Sequence, residues 1–101
     1  MKCIETIKIQ AAKSWDTKME SDLAALTDSI RNSQDYQELK EIIFFNHELS
    51  PGYSAIFLFW NTEYPTQIGS PLGQRLKQAM KVYGLVDHEI WNKTQTERRR
   101  S

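Results

Sequence analysis

The sequence lacks the features that mark secreted, membrane-spanning and nucleic-acid-binding proteins. It has one cysteine, Cys3, and therefore no intrachain disulfide. It contains neither a run of about 18 apolar residues nor a charged leader followed by an apolar segment. Lysine plus arginine equals aspartate plus glutamate at 13 each, so no net field attracts nucleic acid. We therefore expect a cytoplasmic protein whose partners are neither a membrane nor a nucleic acid.

The chain also lacks a catalytic or ligand-binding motif, which leaves length and patterning as guides to its organisation. Its 101 residues fit a single domain, and a chain of this size is marginally stable unless a partner subunit adds buried surface. We expect residues 1–94 to form this domain. Residues 95–101 are polar, end in three arginines and a serine, and have no apolar side chain for packing, so we expect a disordered tail.

The most apolar part of the chain is residues 36–62, which contains all four phenylalanines. Two aromatic-rich runs flank Ser50-Pro51-Gly52 and predict an antiparallel hairpin. If Pro51-Gly52 closes it as a two-residue turn of type II, Phe45 lies opposite Leu58. This register predicts one face with Ile43, Phe45, His47, Ile56, Leu58 and Trp60, and an opposite face with Ile42, Phe44, Phe57 and Phe59.

Other segments predict two more strands and two helices. Residues 2–11 and 85–94 predict strands, and apolar residues spaced by three or four predict a helix over 16–33. A second helix begins at Ser70-Pro71 and ends at Gly84. The order β-α-β-β-α-β predicts an α+β, ferredoxin-like split arrangement, in which an antiparallel sheet carries both helices on one face.

The sheet face without helices should be polar in an isolated domain, yet here it is aromatic. The expected register places Ile42, Phe44, Phe57 and Phe59 on it. A contiguous aromatic surface of this size exceeds what a soluble monomer normally exposes. We therefore expect these four residues to form the interface of a homodimer.

In this order of elements, and in strands that are apolar on both faces, the chain resembles the dimeric α+β barrels over roughly residues 2–94. Its third strand ends Phe57-Leu58-Phe59-Trp60-Asn61-Thr62-Glu63, with a Trp where that family also has one. The family includes antibiotic-biosynthesis and quinol monooxygenases, haem-degrading monooxygenases and stress-responsive proteins. The resemblance implies two sheets packed face to face, and a pocket for a small aromatic or lipophilic molecule between each sheet and its helices. The pocket residues that we expect are Trp60, Tyr64, Glu41, Ile43, Phe45 and Leu58.

The sequence departs from the haem-degrading members, which pair such a Trp with an Asn in the first strand and a His on the second helix. Here the first strand offers only Gln10 as an amide, and the second helix contains no His. We therefore expect no haem or other cofactor. Cofactor-independent oxygenation of a quinol-like molecule needs a base, and of the candidates His47, Glu41 and Tyr64 we expect His47 to be catalytic. The alternative is a non-catalytic small-molecule-binding or stress-responsive regulatory dimer.

Short motifs suggest two further ligands. The tetrapeptides Asn46-His47-Glu48-Leu49 and Asp87-His88-Glu89-Ile90 could bind a divalent ion if a dimer brought them together. No close ligand pair supports such a site, and we expect no metal. Residues 52–59 look like the third-strand signature of the RNA-recognition motif. However, Pro51 stands in place of its basic residue and Ala55 in place of an aromatic, so we expect no RNA.

Overall fold

The computed structural model of the protein describes residues 2–12, 17–62 and 69–93. In these residues the elements follow the predicted order. They are β1 (Cys3–Ala11), α1 (Thr17–Arg31), β2 (Leu39–Asn46), β3 (Tyr53–Trp60), α2 (Pro71–Met80) and β4 (Gly84–Asn92). The strands form an antiparallel sheet in the order β2-β3-β1-β4. No helix within the described ranges is long and apolar enough to span a membrane.

Both helices pack on the same side of the sheet, which we call the helix face. Side chains alternate between the two faces of a strand, and Ile7, Ile56 and Leu58 are fully buried on the helix face. The apolar stripe that predicts α1 provides its contact with the sheet, because residues three and four apart share one side of a helix. The helices contribute Met19, Leu23, Ile30, Leu72, Leu76 and Met80 to this core.

The loop between β2 and β3 is longer than predicted. The expected type II turn is present, since Gly52 has a φ of +79° and the Tyr53 N–H donates to the Ser50 carbonyl at 3.0 Å. The last hydrogen bond between β2 and β3, however, lies before this turn: the His47 N–H donates to the Tyr53 carbonyl at 2.7 Å. The connection is therefore the five-residue segment 48–52, and the Pro-Gly turn is only its second half.

This longer loop shifts the pairing of β2 with β3 by an odd number of residues. Phe44 lies opposite Ile56, and an odd shift turns every side chain of β2 to the other face. Ile42 is 1% exposed in the core, and Phe44 packs against the same core. The expectation that Ile42 and Phe44 meet a second copy is therefore wrong. Ile43 and Phe45, expected to line a pocket beside the helices, lie on the opposite face.

The faces of β3 agree with the prediction. Leu58 and Trp60 are buried on the helix face, whereas Phe57 and Phe59 are half-buried on the other side of the sheet. We call this other side the open face. Its larger apolar side chains are Ile4, Ile43, Phe45, Tyr53, Phe57, Phe59, Leu85 and Trp91.

Helix α2 is shorter than predicted. It begins as expected at Ser70-Pro71, with Ser70 as N-cap, but it ends at Met80. Gly84 is the first residue of β4 and does not terminate the helix. A Cβ atom at Gly84 would lie 2.1 Å from the backbone oxygen of Gln10, so β4 can approach the end of β1 only with glycine at this position.

The hairpin register predicts a specific short distance between protons. The His47–Tyr53 pair is hydrogen-bonded, so the pair Phe44–Ile56, an odd number of residues further along, is non-hydrogen-bonded. Such pairs bring Cα atoms to about 4.5 Å. We expect a strong nuclear Overhauser effect between the Hα protons of Phe44 and Ile56. An equivalent signal between His47 and Ile56 would contradict the register.

Candidate functional site

A carboxylate is buried on the helix face, where the strands otherwise present mainly apolar side chains. Glu5 of β1 is 1% exposed. Its Oε1 accepts hydrogen bonds from Trp60 Nε1 at 3.0 Å and from Ser70 Oγ at 2.6 Å. Its Oε2 accepts one from the Ser70 backbone N–H at 3.0 Å and lies 2.6 Å from His88 Nε2. We call these four residues the Glu5 cluster.

Four elements of the fold supply the Glu5 cluster. Odd-numbered residues of β1 face the helices, and strand pairing places Trp60, the last residue of β3, and His88 of β4 on the same face. Alternation along three neighbouring strands therefore brings the three side chains together. Ser70 comes from above the sheet, where it caps α2.

The N-terminus of α2 points at the Glu5 carboxylate. Ser70 has the extended backbone of an N-cap, and its Oγ accepts the Gly73 N–H at 2.9 Å while donating to Glu5. The positive end of the helix dipole thus faces a negative group. Burying an unpaired carboxylate costs several kcal/mol, and these donors offset much of that cost.

Two glycines allow the entry of α2 to lie directly on the Glu5 cluster. Gly69 has a φ of +87°, and a Cβ there would lie 2.3 Å from Glu5 Oε2 and 2.5 Å from His88 Cε1. A Cβ at Gly73 would lie 1.9 Å from Glu5 Oε2. No other residue type fits either position without displacing the carboxylate, so the backbone and the cluster constrain each other.

The structure separates His47 from Trp60. His47 is exposed at the end of β2, where its ring stacks on Tyr53 with centroids 5.5 Å apart. Its Nδ1 accepts the Leu49 N–H at 3.2 Å. Tyr53 and Trp60 are the two ends of β3, about 23 Å apart at ~3.3 Å per residue. His47 and Trp60 therefore do not share one small-molecule pocket, and a catalytic role for His47 stays a prediction that concerns the open face.

The other predicted pocket residues also separate. Glu41 is exposed on the edge strand β2, where its Oε1 accepts the Ile42 N–H at 3.0 Å and lies 3.6 Å from Arg31 Nε. Leu58 is buried in the core next to Trp60 on β3. Tyr64 lies outside the described residues. Of the six predicted pocket residues, the structure thus places Trp60 in the Glu5 cluster and Leu58 nearby on the same face.

The open face contains a shallow groove of about 780 Å³. Ala55 lies in it between larger neighbours, including Phe45 and Phe57, whose rings meet edge to face at 5.3 Å. Lys8 also lines the groove and forms an ion pair with Glu89 at 3.0 Å. The hydrogen bond to Glu89 and its charge raise the pKa of Lys8. The groove is thus mainly apolar, with one charged pair beside it.

Sequence reasoning missed Glu5 and His88 as site residues. The signal was present in the strand patterns, because Glu5 occupies an inward position in register with Ile7 and Ile9. A charged residue in such a position is rarely buried without partners. His88 likewise alternates with Val86, which packs against the core. What the pattern alone could not provide was the partner, since Ser70 is 65 positions away in the sequence.

The structure places the histidines of the two His-Glu tetrapeptides on opposite faces of the sheet. His88 points to the helices and bonds to Glu5, whereas His47 is on the exposed hairpin end. A second copy packed on the open face could therefore not reach His88. Within the residues that the structure describes, no three His, Cys, Asp or Glu side chains form a group that could hold a metal ion.

Comparisons with known proteins identify the fold. No protein-family model matches the sequence, and no curated protein matches it. A crystal structure of a protein from Deinococcus radiodurans, provisionally named an antibiotic biosynthesis monooxygenase, matches with a TM-score of 0.62. The two sequences are 12% identical, over 98% of this chain and 99% of that chain. The chain therefore shares the ferredoxin-like α+β fold of that protein, and at this identity the likeness concerns the fold alone.

The contact between Gly73 and Glu5 predicts a coupling between two substitutions. Gly73→Ala should destabilise the protein, because the three atoms nearest to the new Cβ all belong to Glu5. In a Glu5→Ala background those atoms are gone, and Gly73→Ala should be neutral or stabilise by up to about 1 kcal/mol, since alanine favours helix. Urea unfolding of the four proteins measures the difference. Equal effects in both backgrounds would show that α2 does not rest on this carboxylate.

Proposed function

We propose that this protein is a cytoplasmic homodimer that binds a small aromatic or lipophilic molecule beside the Glu5 cluster and oxygenates it without a cofactor. The observation that carries the proposal is the burial of a carboxylate, an imidazole and an indole N–H together in an otherwise apolar core. Apolar side chains of similar volume are often as stabilising as a buried ion pair. The presence of ionisable groups in this core is therefore explained better by a role in catalysis than by a contribution to the free energy of folding.

A quinol is the substrate class that fits cofactor-independent chemistry. A quinol and O₂ give a hydroxyquinone and water, so the substrate itself supplies all the electrons that reduce O₂. The protein has only to bind the ring, remove a proton and exclude bulk water. The aromatic face of Trp60 would bind the ring. The Glu5–His88 pair would remove the proton. The fold shared with a protein provisionally named a monooxygenase supports this by analogy.

A second copy of the chain is the partner that best fits the open face. Phe45 and Trp91 are 49% and 59% exposed there, and monomers rarely leave such contiguous apolar surface in water. The face also carries both signs of charge, in the Lys8–Glu89 pair and in Asp87 opposite Lys8, so a twofold axis can bring opposite charges together. The proposed interface keeps Phe57 and Phe59 from the sequence prediction. Ile43 and Phe45 take the place of Ile42 and Phe44.

A non-catalytic binding or regulatory dimer is the second candidate. It is favoured by the contacts of Glu5, because a carboxylate offers about four lone-pair positions and four contacts already use them. Glu5 itself therefore has no position left with which to take a proton from a bound molecule. In this alternative the cluster only fixes α2 over a binding site.

Oxygen uptake by the metal-free protein tests the proposed activity. We expect a panel of quinols to include one that is converted to its hydroxyquinone with one O₂ consumed. Trp60→Phe, which removes the indole donor, should lower turnover roughly five- to 150-fold, since loss of a donor in a buried site costs roughly 1–3 kcal/mol. Gln78→Ala, on the exposed side of α2, is the matched control.

The variant His47→Ala tests which face of the sheet carries the active site. Turnover that is lost in His47→Ala and retained in Trp60→Phe would move the chemistry to the open-face groove. No oxygen uptake with any quinol that binds would favour the non-catalytic alternative.

Sedimentation equilibrium tests the proposed dimer. The wild-type chain should sediment as a dimer, and Phe57→Asp should sediment as a monomer, because a carboxylate would be buried without a partner between the two sheets. Gln78→Asp adds the same charge on an exposed helix surface and should remain dimeric. A monomeric wild-type protein, or a dimer that persists in Phe57→Asp, would contradict the interface.

A further inference from the structure

The contacts of the Glu5 cluster determine where its hydrogen atoms lie. The Trp60 Nε1–H and the Ser70 backbone N–H can only donate. The Ser70 hydroxyl oxygen accepts the Gly73 N–H, so its own hydrogen is directed to Glu5 Oε1. Three of the four contacts of the carboxylate are therefore bonds that Glu5 accepts.

The fourth contact then fixes the state of the His88 ring. The 2.6 Å distance between Glu5 Oε2 and His88 Nε2 requires one hydrogen between them. Since the carboxylate accepts its other three bonds, the hydrogen belongs to Nε2. In a neutral imidazole with a hydrogen on Nε2, the lone pair is on Nδ1. Of the two neutral tautomers of His88, Glu5 thus selects the one in which Nδ1 can take up a proton.

The Nδ1 atom of His88 is not used by the fold. Among the residues that the structure describes, Glu5 is the group to which the His88 ring makes its hydrogen bond or ion pair, and that contact is through Nε2. The side chain is 5% exposed, so most of the ring is shielded from bulk water. Nδ1 is not one of the described side-chain atoms that are fully buried and lack a hydrogen-bond partner, so a small donor group of a bound molecule can reach it.

We propose that His88 is the acid–base residue of this site and that Glu5 is its positioning residue. This proposal rests on the proposed function and assigns its proton transfer to one atom. A hydroxyl group of the substrate gives its proton to His88 Nδ1: the O–H bond breaks, the N–H bond forms, and the substrate keeps the electron pair as a phenolate. The resulting imidazolium is held through its Nε2–H by the negative charge of Glu5. The substrate class is therefore a phenol or quinol, whose anion reacts with O₂.

The two elements that pack against His88 present no competing charge in the described residues. On β1, its directly opposite neighbour is Ile7, and Glu5 is the ionisable residue next to it on the same face. From the entry of α2, Gly69 lies against the Cε1–Nε2 edge of the ring and carries no side chain. Glu5 is therefore the charged group of the described residues that contacts the His88 ring.

Nitrogen NMR of the two imidazoles tests the assignment without any activity assay. The chain has two histidines, so His47 is an internal reference. In the wild-type protein we expect His88 to carry its neutral-form hydrogen on Nε2. Glu5→Gln, which places an amide donor among groups that already donate, should abolish this preference, and Ser70→Ala, which leaves the Glu5–His88 contact in place, should retain it. A wild-type His88 with its hydrogen on Nδ1 would overturn the proposal even if no variant folds.

Ligand binding and kinetics then separate this proposal from the proposed function. Hydroquinone added without O₂ should shift the Nδ1 resonance of His88 and leave His47 unchanged; a shift of His47 alone would overturn the proposal. With O₂ and an accepted quinol, His88→Asn should lower kcat roughly a hundredfold or more with little change in KM. Glu5→Gln should lower kcat and alter its pH profile. Full activity in His88→Asn would refute the role of His88 while leaving the proposed oxygenation intact, whereas absence of turnover in the wild type would refute the oxygenation itself.

Discussion

The structure depends on one buried carboxylate. Glu5 joins the central strand β1 to the end of β3, to β4 and to the first turn of α2 through four short contacts. Trp60 and Ser70 are buried and the His88 side chain is 5% exposed, so the network is largely shielded from water and its bonds are stronger than they would be on the surface. The two glycines at positions 69 and 73 leave room for these bonds, because a Cβ at either position would collide with Glu5. The position of α2 over the sheet is therefore set by a polar group inside the core.

The two faces of the sheet have separate consequences for function. The helix face combines an apolar core with the Glu5 cluster, in which one carboxylate bonds both an imidazole and an indole N–H. The open face carries aromatic side chains and a balanced ion pair, which suit contact with another copy of the chain. His88 and His47 lie on opposite sides of this division, although the sequence gives them similar neighbours.

Much of the fold was predictable from the sequence, and the reasons for the errors are physical. Periodicity predicts α1 and the strands because alternate or three-to-four spacing decides which side chains can be buried together. The register of β2 was wrong because Pro51-Gly52 indicates a turn but not the length of the loop that contains it. The prediction that Gly84 ends α2 was wrong for a similar reason. Its backbone lies close to Gln10, and that contact depends on a strand that is distant in sequence. The only sign of the site in the sequence was a charged residue, Glu5, at a strand position that faces the core.

The central claim is that the functional site lies on the helix face, at the Glu5 cluster. A crystal structure of the protein soaked with hydroquinone in the absence of O₂ tests it most directly. The claim predicts the ring beside Trp60, with one hydroxyl oxygen about 3 Å from His88 Nδ1. Hydroquinone bound in the open-face groove beside His47, with the Glu5 cluster unoccupied, would contradict it.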